Sequence, residues 1–65
     1  MMNTLYDVQQ LLKRFGVFVY TGKQSADIQL MDIEIDELYQ TKLITNEEFT
    51  RSKMVLRKEL NERKQ

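Results

Sequence analysis

Two stretches of this chain repeat apolar residues at intervals of three, four and three positions, which is the spacing of one face of an α-helix. The first series consists of Leu5, Val8, Leu12 and Phe15. The second series consists of Ile28, Met31, Ile35 and Leu38. Residues 28–35 also alternate in the manner of a strand, but the length of this stretch and its many acidic residues favour a helix. The sequence therefore predicts two amphipathic helices.

Capping residues indicate where the helices begin and end. Thr4 and Asp7 have the spacing of a capping box, in which each side chain accepts a hydrogen bond from the backbone N–H of the other residue. Thr45 and Glu48 repeat this pattern and indicate the start of a third helix. Gly16 stands at the expected end of the first helix, where a residue with positive φ is common.

These segments predict an all-α fold, a compact three-helix bundle that forms a single domain over residues 1–65. The helices are predicted at 4–15, 25–41 and 46–62, with an irregular and partly extended connection at 16–24. The link between the second and third helices is only a few residues long, which favours antiparallel packing of these two helices.

Some apolar residues fall outside the predicted inward stripes. They are Leu30 and Ile33 on the second helix, and Met54 and Val55 on the third. Exposed apolar patches mark interfaces. We therefore expect Leu30 and Ile33 to be covered either by residues 17–20 or by a second molecule.

The residue types that the chain lacks limit its chemistry. Without cysteine or histidine it has no disulfide, no thiolate nucleophile and no histidine for zinc binding or acid–base catalysis. Asp32 and Asp36 lie on a predicted helix surface, where acidic residues are ordinarily solvated and do not form a catalytic pair. Thr21-Gly22-Lys23 resembles part of a phosphate-binding loop but lacks its other glycine, so it is better interpreted as a turn. We expect no enzyme, metal, cofactor or small-molecule substrate.

The total charge is zero, from ten basic and ten acidic residues, but it is unevenly distributed. Residues 23–41 have one basic and five acidic side chains, a net charge of −4, whereas residues 42–65 have seven basic and four acidic ones, a net charge of +3. This asymmetry can orient a partner. No signal peptide and no apolar stretch of about 20 residues is recognisable, so we expect a cytoplasmic protein without membrane contact.

Residues 13–23 offer surface chemistry beyond helix packing. The apolar run at 17–20 follows neither the helical nor the strand period, and basic residues flank it. Single-strand binders combine cations that contact phosphates with aromatic rings that stack on bases. On the third helix, Lys53, Arg57 and Lys64 fall on one flank of the inward stripe. The candidate nucleic-acid-binding residues are Lys13, Arg14, Phe18, Tyr20, Lys23, Lys53 and Arg57.

Two interpretations of the aromatic residues stay open. Phe18 and Tyr20 either stack on the bases of single-stranded RNA or DNA, or they cover apolar residues of the second helix.

The alternative function of the protein is that of a helical module for protein–protein interaction or oligomerisation. Self-association would also help so small a domain, which buries only about 60% of the surface of its unfolded chain. The solvent exposure of the two rings distinguishes the interpretations.

Four short stretches carry a family resemblance. They are Tyr6-Asp7-Val8-Gln9-Gln10-Leu11-Leu12, Phe18-Val19-Tyr20-Thr21-Gly22, Asp27-Ile28 with Leu30-Met31, and Glu37-Leu38-Tyr39. In these stretches the chain resembles the YqgQ-like family of small bacterial proteins of unknown function. The resemblance implies a compact three-helix bundle and single-stranded nucleic-acid binding, and it implies no catalytic or cofactor-binding residues.

A second resemblance covers residues 37–57. It rests on Leu43-Ile44-Thr45-Asn46-Glu47-Glu48-Phe49, followed by Lys53 and Leu56. This stretch is similar to the short C-terminal helical-hairpin module of bacterial proteins, which implies oligomerisation.

Overall fold

The computed structural model describes residues 3–62, which contain three helices and no strand. The helices are α1 (Leu5–Lys13), α2 (Gln24–Gln40) and α3 (Asn46–Glu62). This arrangement confirms the predicted all-α three-helix bundle, and every helix end lies within two residues of its predicted position. None of these helices has the length and apolar character needed to cross a membrane.

Both predicted ends of α1 are present. The Thr4 side chain accepts a hydrogen bond from the Asp7 N–H at 3.3 Å, and the Thr4 N–H donates to the Asp7 carboxylate at 3.1 Å. At the other end Gly16 has a φ of 77°, and its N–H donates to the Lys13 carbonyl at 3.0 Å. The Val17 N–H donates to the Leu12 carbonyl at 3.0 Å, which completes a Schellman motif. Regular α1 geometry extends to Lys13, and Arg14 and Phe15 form the closing turn of this motif, which brings the chain to Gly16 as predicted.

A second Schellman motif ends α2. Lys42 takes the left-handed position with a φ of 64°, its N–H donates to the Tyr39 carbonyl at 3.0 Å, and the Leu43 N–H donates to the Leu38 carbonyl at 2.9 Å. The chain then enters α3 through the predicted capping box. The Thr45 N–H donates to the Glu48 carboxylate at 2.9 Å, and the Glu48 N–H donates to the Thr45 hydroxyl at 3.1 Å.

The tight link makes α2 and α3 antiparallel, as predicted. The rings of Tyr39 and Phe49 stack with centroids 4.0 Å apart and planes at 16°. The Tyr39 hydroxyl also donates a hydrogen bond to the Asn46 side chain. These contacts join the last turns of α2 to the first turns of α3, and α2 has its most extensive interface with α3.

The core lies where the three helices meet. Its buried apolar residues are Val8, Leu11, Leu12, Ile28, Met31, Ile35, Leu38, Ile44, Val55 and Leu56. The prediction that Val55 lies outside the inward stripe is wrong. Because α3 packs against both other helices, its buried side is wider than a single stripe and includes Val55.

The outward side of α2 differs from the expectation. Leu30 and Ile33 are 42% and 54% exposed, so residues 17–20 do not cover them. Residues 17–20 line a groove with Met31 on the core side of α2, whereas Ile33 lines a different groove beside α3. The two apolar surfaces therefore face different directions.

Candidate nucleic-acid interface

In the connection between α1 and α2, successive side chains face the core and the solvent in turn. Val17 and Val19 pack against the core, whereas Phe18 and Tyr20 are 72% and 88% exposed. Because all four residues are apolar, the sequence conceals this alternation. The interpretation of Phe18 and Tyr20 as core cover is wrong, and both rings lie in solvent.

A buried carboxylate anchors the end of this connection. Asp27 is only 7% exposed, and its Oδ1 accepts hydrogen bonds from the Thr21 N–H and the Thr21 hydroxyl, each at 2.7 Å. The Thr21 hydroxyl oxygen also accepts a hydrogen bond from the Lys23 N–H at 3.3 Å, and Gly22 has a φ of 91°. Thr21-Gly22-Lys23 is thus the predicted turn, and its hydrogen bonds to Asp27 tie the aromatic segment to α2.

The role of Asp27 exceeds what the sequence predicts. An acidic residue in the first turn of a helix ordinarily acts through the positive end of the helix dipole. The cap position Lys23 forms no side-chain capping bond, and Asp27 instead bonds the chain that precedes the helix. A threonine six positions before an acid in the first helical turn, with a glycine between them, is the available sequence signal.

The exposed rings stand beside a groove of about 320 Å³ between α1 and the connection, which we call the aromatic groove. It is lined by Gln9, Leu12, Lys13, Val17, Phe18, Val19, Tyr20 and Met31. The structure thus brings together three of the predicted site residues, namely Lys13, Phe18 and Tyr20. Lys13 is exposed, and it forms no ion pair with another residue of the described range 3–62.

Arg14 points to a different surface from its neighbour Lys13. It lines a groove of about 470 Å³ between α1 and the start of α3. There its guanidinium forms an ion pair with Glu48 at 3.2 Å, and it lies 5.7 Å from the centroid of the Phe15 ring. The Thr45 N–H, together with this guanidinium, holds the pKa of Glu48 below its usual value despite partial burial. Arg14 therefore joins α1 to α3 and lies apart from the aromatic groove.

The two candidates on α3 are also separate from the aromatic groove. The Lys53 ammonium lies 2.8 Å from Asp32 and 2.8 Å from Asp36, so its single positive charge is shared between two carboxylates. Burial alone would lower the pKa of Lys53, but its hydrogen bonds to both carboxylates outweigh this effect and raise the pKa above its usual value. Arg57 is exposed in a groove beside Ile33.

The remaining basic residues named from the sequence are Lys23 and Lys64. Lys23 is the exposed cap of α2, three residues beyond Tyr20, and it forms no ion pair among residues 3–62. Lys64, predicted to continue the basic row of the third helix, lies outside the described residues.

The aromatic groove contains a polar residue that the sequence reasoning missed. Gln9 lies one turn before Lys13 on the same face of α1, and both side chains line the groove. Tyr6 continues this face and is 64% exposed. The spacing of residues 6, 9 and 13 was available in the sequence, but only the position of the connection shows which face of α1 meets the aromatic rings.

Comparisons with known proteins agree on one family. The model of the YqgQ-like family matches residues 2–62. The uncharacterised protein YqgQ of Bacillus subtilis (strain 168) is 51% identical over 63 residues, which cover 97% of this chain and 89% of that relative.

Proposed function

The chain belongs to the YqgQ-like family, and we propose that it binds single-stranded RNA or DNA along the aromatic groove. The observation that carries this proposal is the exposure of Phe18 and Tyr20 on an anchored segment, beside Lys13. In this proposal the two rings stack on bases, and Lys13 and Lys23 contact phosphates.

The anchoring of the segment favours stacking. A base gains about 1–3 kcal/mol by stacking on an aromatic side chain, provided that the ring is already held in place. The core contacts of Val17 and Val19, together with the Thr21–Asp27 hydrogen bonds, hold the backbone that carries both rings. The rings therefore present flat apolar surface without having to leave the core.

The charges favour a short and weak contact with the nucleic-acid backbone. Lys13 and Lys23 have no carboxylate partner among residues 3–62, whereas Arg14 and Lys53 are paired. Two phosphate contacts release few counterions, so the affinity should fall with salt, but less steeply than for a strongly basic protein. Stacking then supplies the larger share of the binding free energy.

Fluorescence anisotropy with labelled single-stranded oligonucleotides at low salt tests this proposal. Phe18→Ala and Tyr20→Ala should each weaken binding about tenfold, while the free energy of unfolding changes by less than about 0.5 kcal/mol because both rings are exposed. Lys13→Ala should also reduce the slope of the salt dependence by about one.

Two control variants match these changes. Met54→Ala removes a large apolar side chain of α3 that is also mostly exposed, and Lys58→Ala removes an exposed cation from the same helix. Neither should alter the affinity by more than about twofold. The proposal fails if the wild-type protein binds no single strand, or if the α3 variants weaken binding as much as the groove variants do.

We propose as a second candidate a role in protein–protein interaction, which the exposure of Leu30 and Ile33 on α2 favours. Sedimentation of the wild-type protein and of Ile33→Ser at high concentration tests self-association. A wild-type oligomer that Ile33→Ser dissociates supports this role. A wild-type monomer excludes self-association through this face.

A further inference from the structure

We propose that Tyr6 is a third aromatic ring that stacks on a base, so that a bound single strand leaves the aromatic groove along the outer face of α1. The inference rests on the proposed single-strand binding and adds to it a binding residue and a direction for the strand. It is carried by the position of Tyr6, which is 64% exposed on the same face of α1 as Lys13.

The aromatic residues of the chain, three tyrosines and three phenylalanines, divide into two groups. Those that pack against the core are Phe15, Tyr39 and Phe49. Those that are exposed are Tyr6, Phe18 and Tyr20. Aromatic rings in solvent present flat faces on which bases of any sequence can stack. Tyr6 therefore offers the same chemistry as the two rings of the aromatic groove.

Tyr6 lies in line with the residues of α1 that line the aromatic groove. Seven residues make almost two turns of an α-helix, so Tyr6 and Lys13 point in directions only about 20° apart, and their Cα atoms are separated by about 10 Å along the axis. Gln9 lines the groove between them, and its Cβ atom is about 5–6 Å from that of Tyr6. The groove thus reaches to within one helical turn of Tyr6.

The charges on α1 favour a strand that continues from Lys13 towards Tyr6. Asp7 and Lys13 are the only charged residues of this helix. Asp7 points about 100° away from Tyr6 around the helix axis, and its carboxylate is bonded to backbone N–H groups that precede the helix. The face with Tyr6 and Lys13 therefore presents positive charge to the phosphates. By contrast, α2 has five acidic residues and no basic one, which disfavours a strand along its exposed apolar side.

The spacing of the rings predicts how long a strand must be to contact Tyr6. Successive nucleotides of a stacked strand rise by about 3.4 Å, so the axial distance from Lys13 to Tyr6 corresponds to about three nucleotides. A dinucleotide can stack on only two of the three rings, and the groove already offers Phe18 and Tyr20. Tyr6 should consequently contribute to the binding of longer strands alone.

The test compares Tyr6→Ala, Tyr6→Leu and Tyr6→Phe in the full-length protein. Leucine keeps an apolar side chain without a flat ring, whereas phenylalanine keeps the ring. The probes are labelled oligo(dT) of about twelve nucleotides, measured by fluorescence anisotropy, and the dinucleotide of thymidine, measured by NMR titration. None of the three changes should lower the urea midpoint, because Tyr6 is exposed and alanine and leucine have the higher helix propensities.

We expect Tyr6→Ala and Tyr6→Leu each to bind the longer probe about tenfold more weakly than the wild-type protein and the dinucleotide within about twofold. Tyr6→Phe should bind both probes as the wild-type protein does, and so should Met54→Ala, the exposed control on α3. The ring-proton signals of Tyr6 should also shift when the longer probe is added, whereas those of Tyr39, which stacks on Phe49 within the bundle, should not.

Three results would overturn the role of Tyr6 and leave binding in the aromatic groove standing. They are unchanged affinity of Tyr6→Ala for the longer probe, wild-type affinity of Tyr6→Leu for it, and equal losses on both probes. Failure of the wild-type protein to bind the longer probe would instead overturn both the proposed function and this inference.

Discussion

At the scale of single residues, Thr45 shows how one hydroxyl determines where a helix begins. It accepts the Glu48 N–H at 3.1 Å, which is one of the backbone donors that the first turn of α3 leaves without a partner. Thr45→Ala should lower the free energy of unfolding by about 1 kcal/mol. Urea denaturation monitored by circular dichroism measures this loss.

The control for Thr45 lies in the same helix. Thr50 is exposed one turn further along α3, where no backbone N–H needs a cap. Thr50→Ala should leave the protein unchanged or slightly more stable, because alanine has the higher helix propensity. Equal destabilisation by both substitutions would contradict the assignment of Thr45 as the cap.

Thr21 is the residue on which the geometry of the aromatic segment depends. Thr21→Val keeps the shape of the side chain but removes the hydroxyl donor from the buried Asp27 carboxylate. Since hydrogen bonds to charged groups contribute about 1.5–3 kcal/mol, we expect a loss of about 2 kcal/mol in the free energy of unfolding. Amide hydrogen exchange should also accelerate at residues 17–21.

Thr21→Ser is the conservative counterpart, since serine retains the hydroxyl. It should keep most of the stability and the slow exchange of the connection. If Thr21→Val and Thr21→Ser exchange at the same rate, the hydroxyl of Thr21 does not hold the segment.

At the scale of whole elements, α1 and α2 end in the same motif with different residues. Gly16 and Lys42 both occupy its left-handed position, with φ values of 77° and 64°. A residue with a Cβ atom pays a conformational cost there that glycine avoids. Lys42→Gly should therefore raise the free energy of unfolding by about 0.5–1 kcal/mol.

The reverse change at Gly16 is its matched test. A Cβ added there would meet no atom within 4 Å, so Gly16→Ala probes the backbone alone. We expect Gly16→Ala to lower the free energy of unfolding by about 1 kcal/mol. Changes of the same sign in both variants, measured by chemical denaturation, would contradict this account.

The helices also show which parts of the fold depend on interactions between residues that are close in the sequence. The helices and their capping boxes could be predicted because spacing and caps involve residues within a few positions of each other. The end of α2 could not be predicted in detail, since Lys42 takes a conformation for which glycine is the usual signal. The Schellman bonds there depend on the packing of α2 against α3 as well as on local preference.

The candidate site was less predictable than the helices because it depends on contacts between elements. Lys13 and Arg14 are neighbours in the sequence with the same charge, yet the structure places one beside the aromatic rings and the other against Glu48. Similarly, four consecutive apolar residues gave no indication that Val17 and Val19 face inward while Phe18 and Tyr20 face solvent. Only the docking of the connection against α1 and α2 determines these directions.

At the scale of the whole molecule, the three helices divide the charged residues into separate surfaces. The acidic character of α2 is partly compensated within the bundle, because Lys53 bonds both Asp32 and Asp36. The Arg14–Glu48 pair likewise joins α1 to α3. The basic residues that stay without such partners among residues 3–62 include Lys13 and Lys23, so a chain of zero net charge still presents positive charge beside its exposed rings.

The free energy of unfolding should depend on pH through the contacts of Asp7, Glu48 and Lys53. Backbone N–H groups lower the pKa of Asp7 below its ordinary 3.8 and that of Glu48 below its ordinary 4.5. In acid the folded state therefore binds fewer protons than the unfolded state. The two carboxylates contribute their full stabilisation at pH values above their ordinary pKa, and they lose it as the pH falls through their lowered pKa in the folded state. The raised pKa of Lys53 acts at the other extreme, since its contribution is complete below its ordinary 10.5 and lost at higher pH.

With no histidine or cysteine in the chain, no side chain has an ordinary pKa between about pH 5 and pH 9, so the urea midpoint should be nearly constant from about pH 6 to pH 9 and fall below about pH 4.5. Glu48→Gln should flatten the acid fall, because the neutral amide has no proton to gain. Glu37→Gln is the control, since Glu37 is exposed and makes no side-chain hydrogen bond within residues 3–62, and it should keep the wild-type profile. An acid fall that is identical in the wild-type protein and in Glu48→Gln would show that the capping box of α3 does not contribute to it.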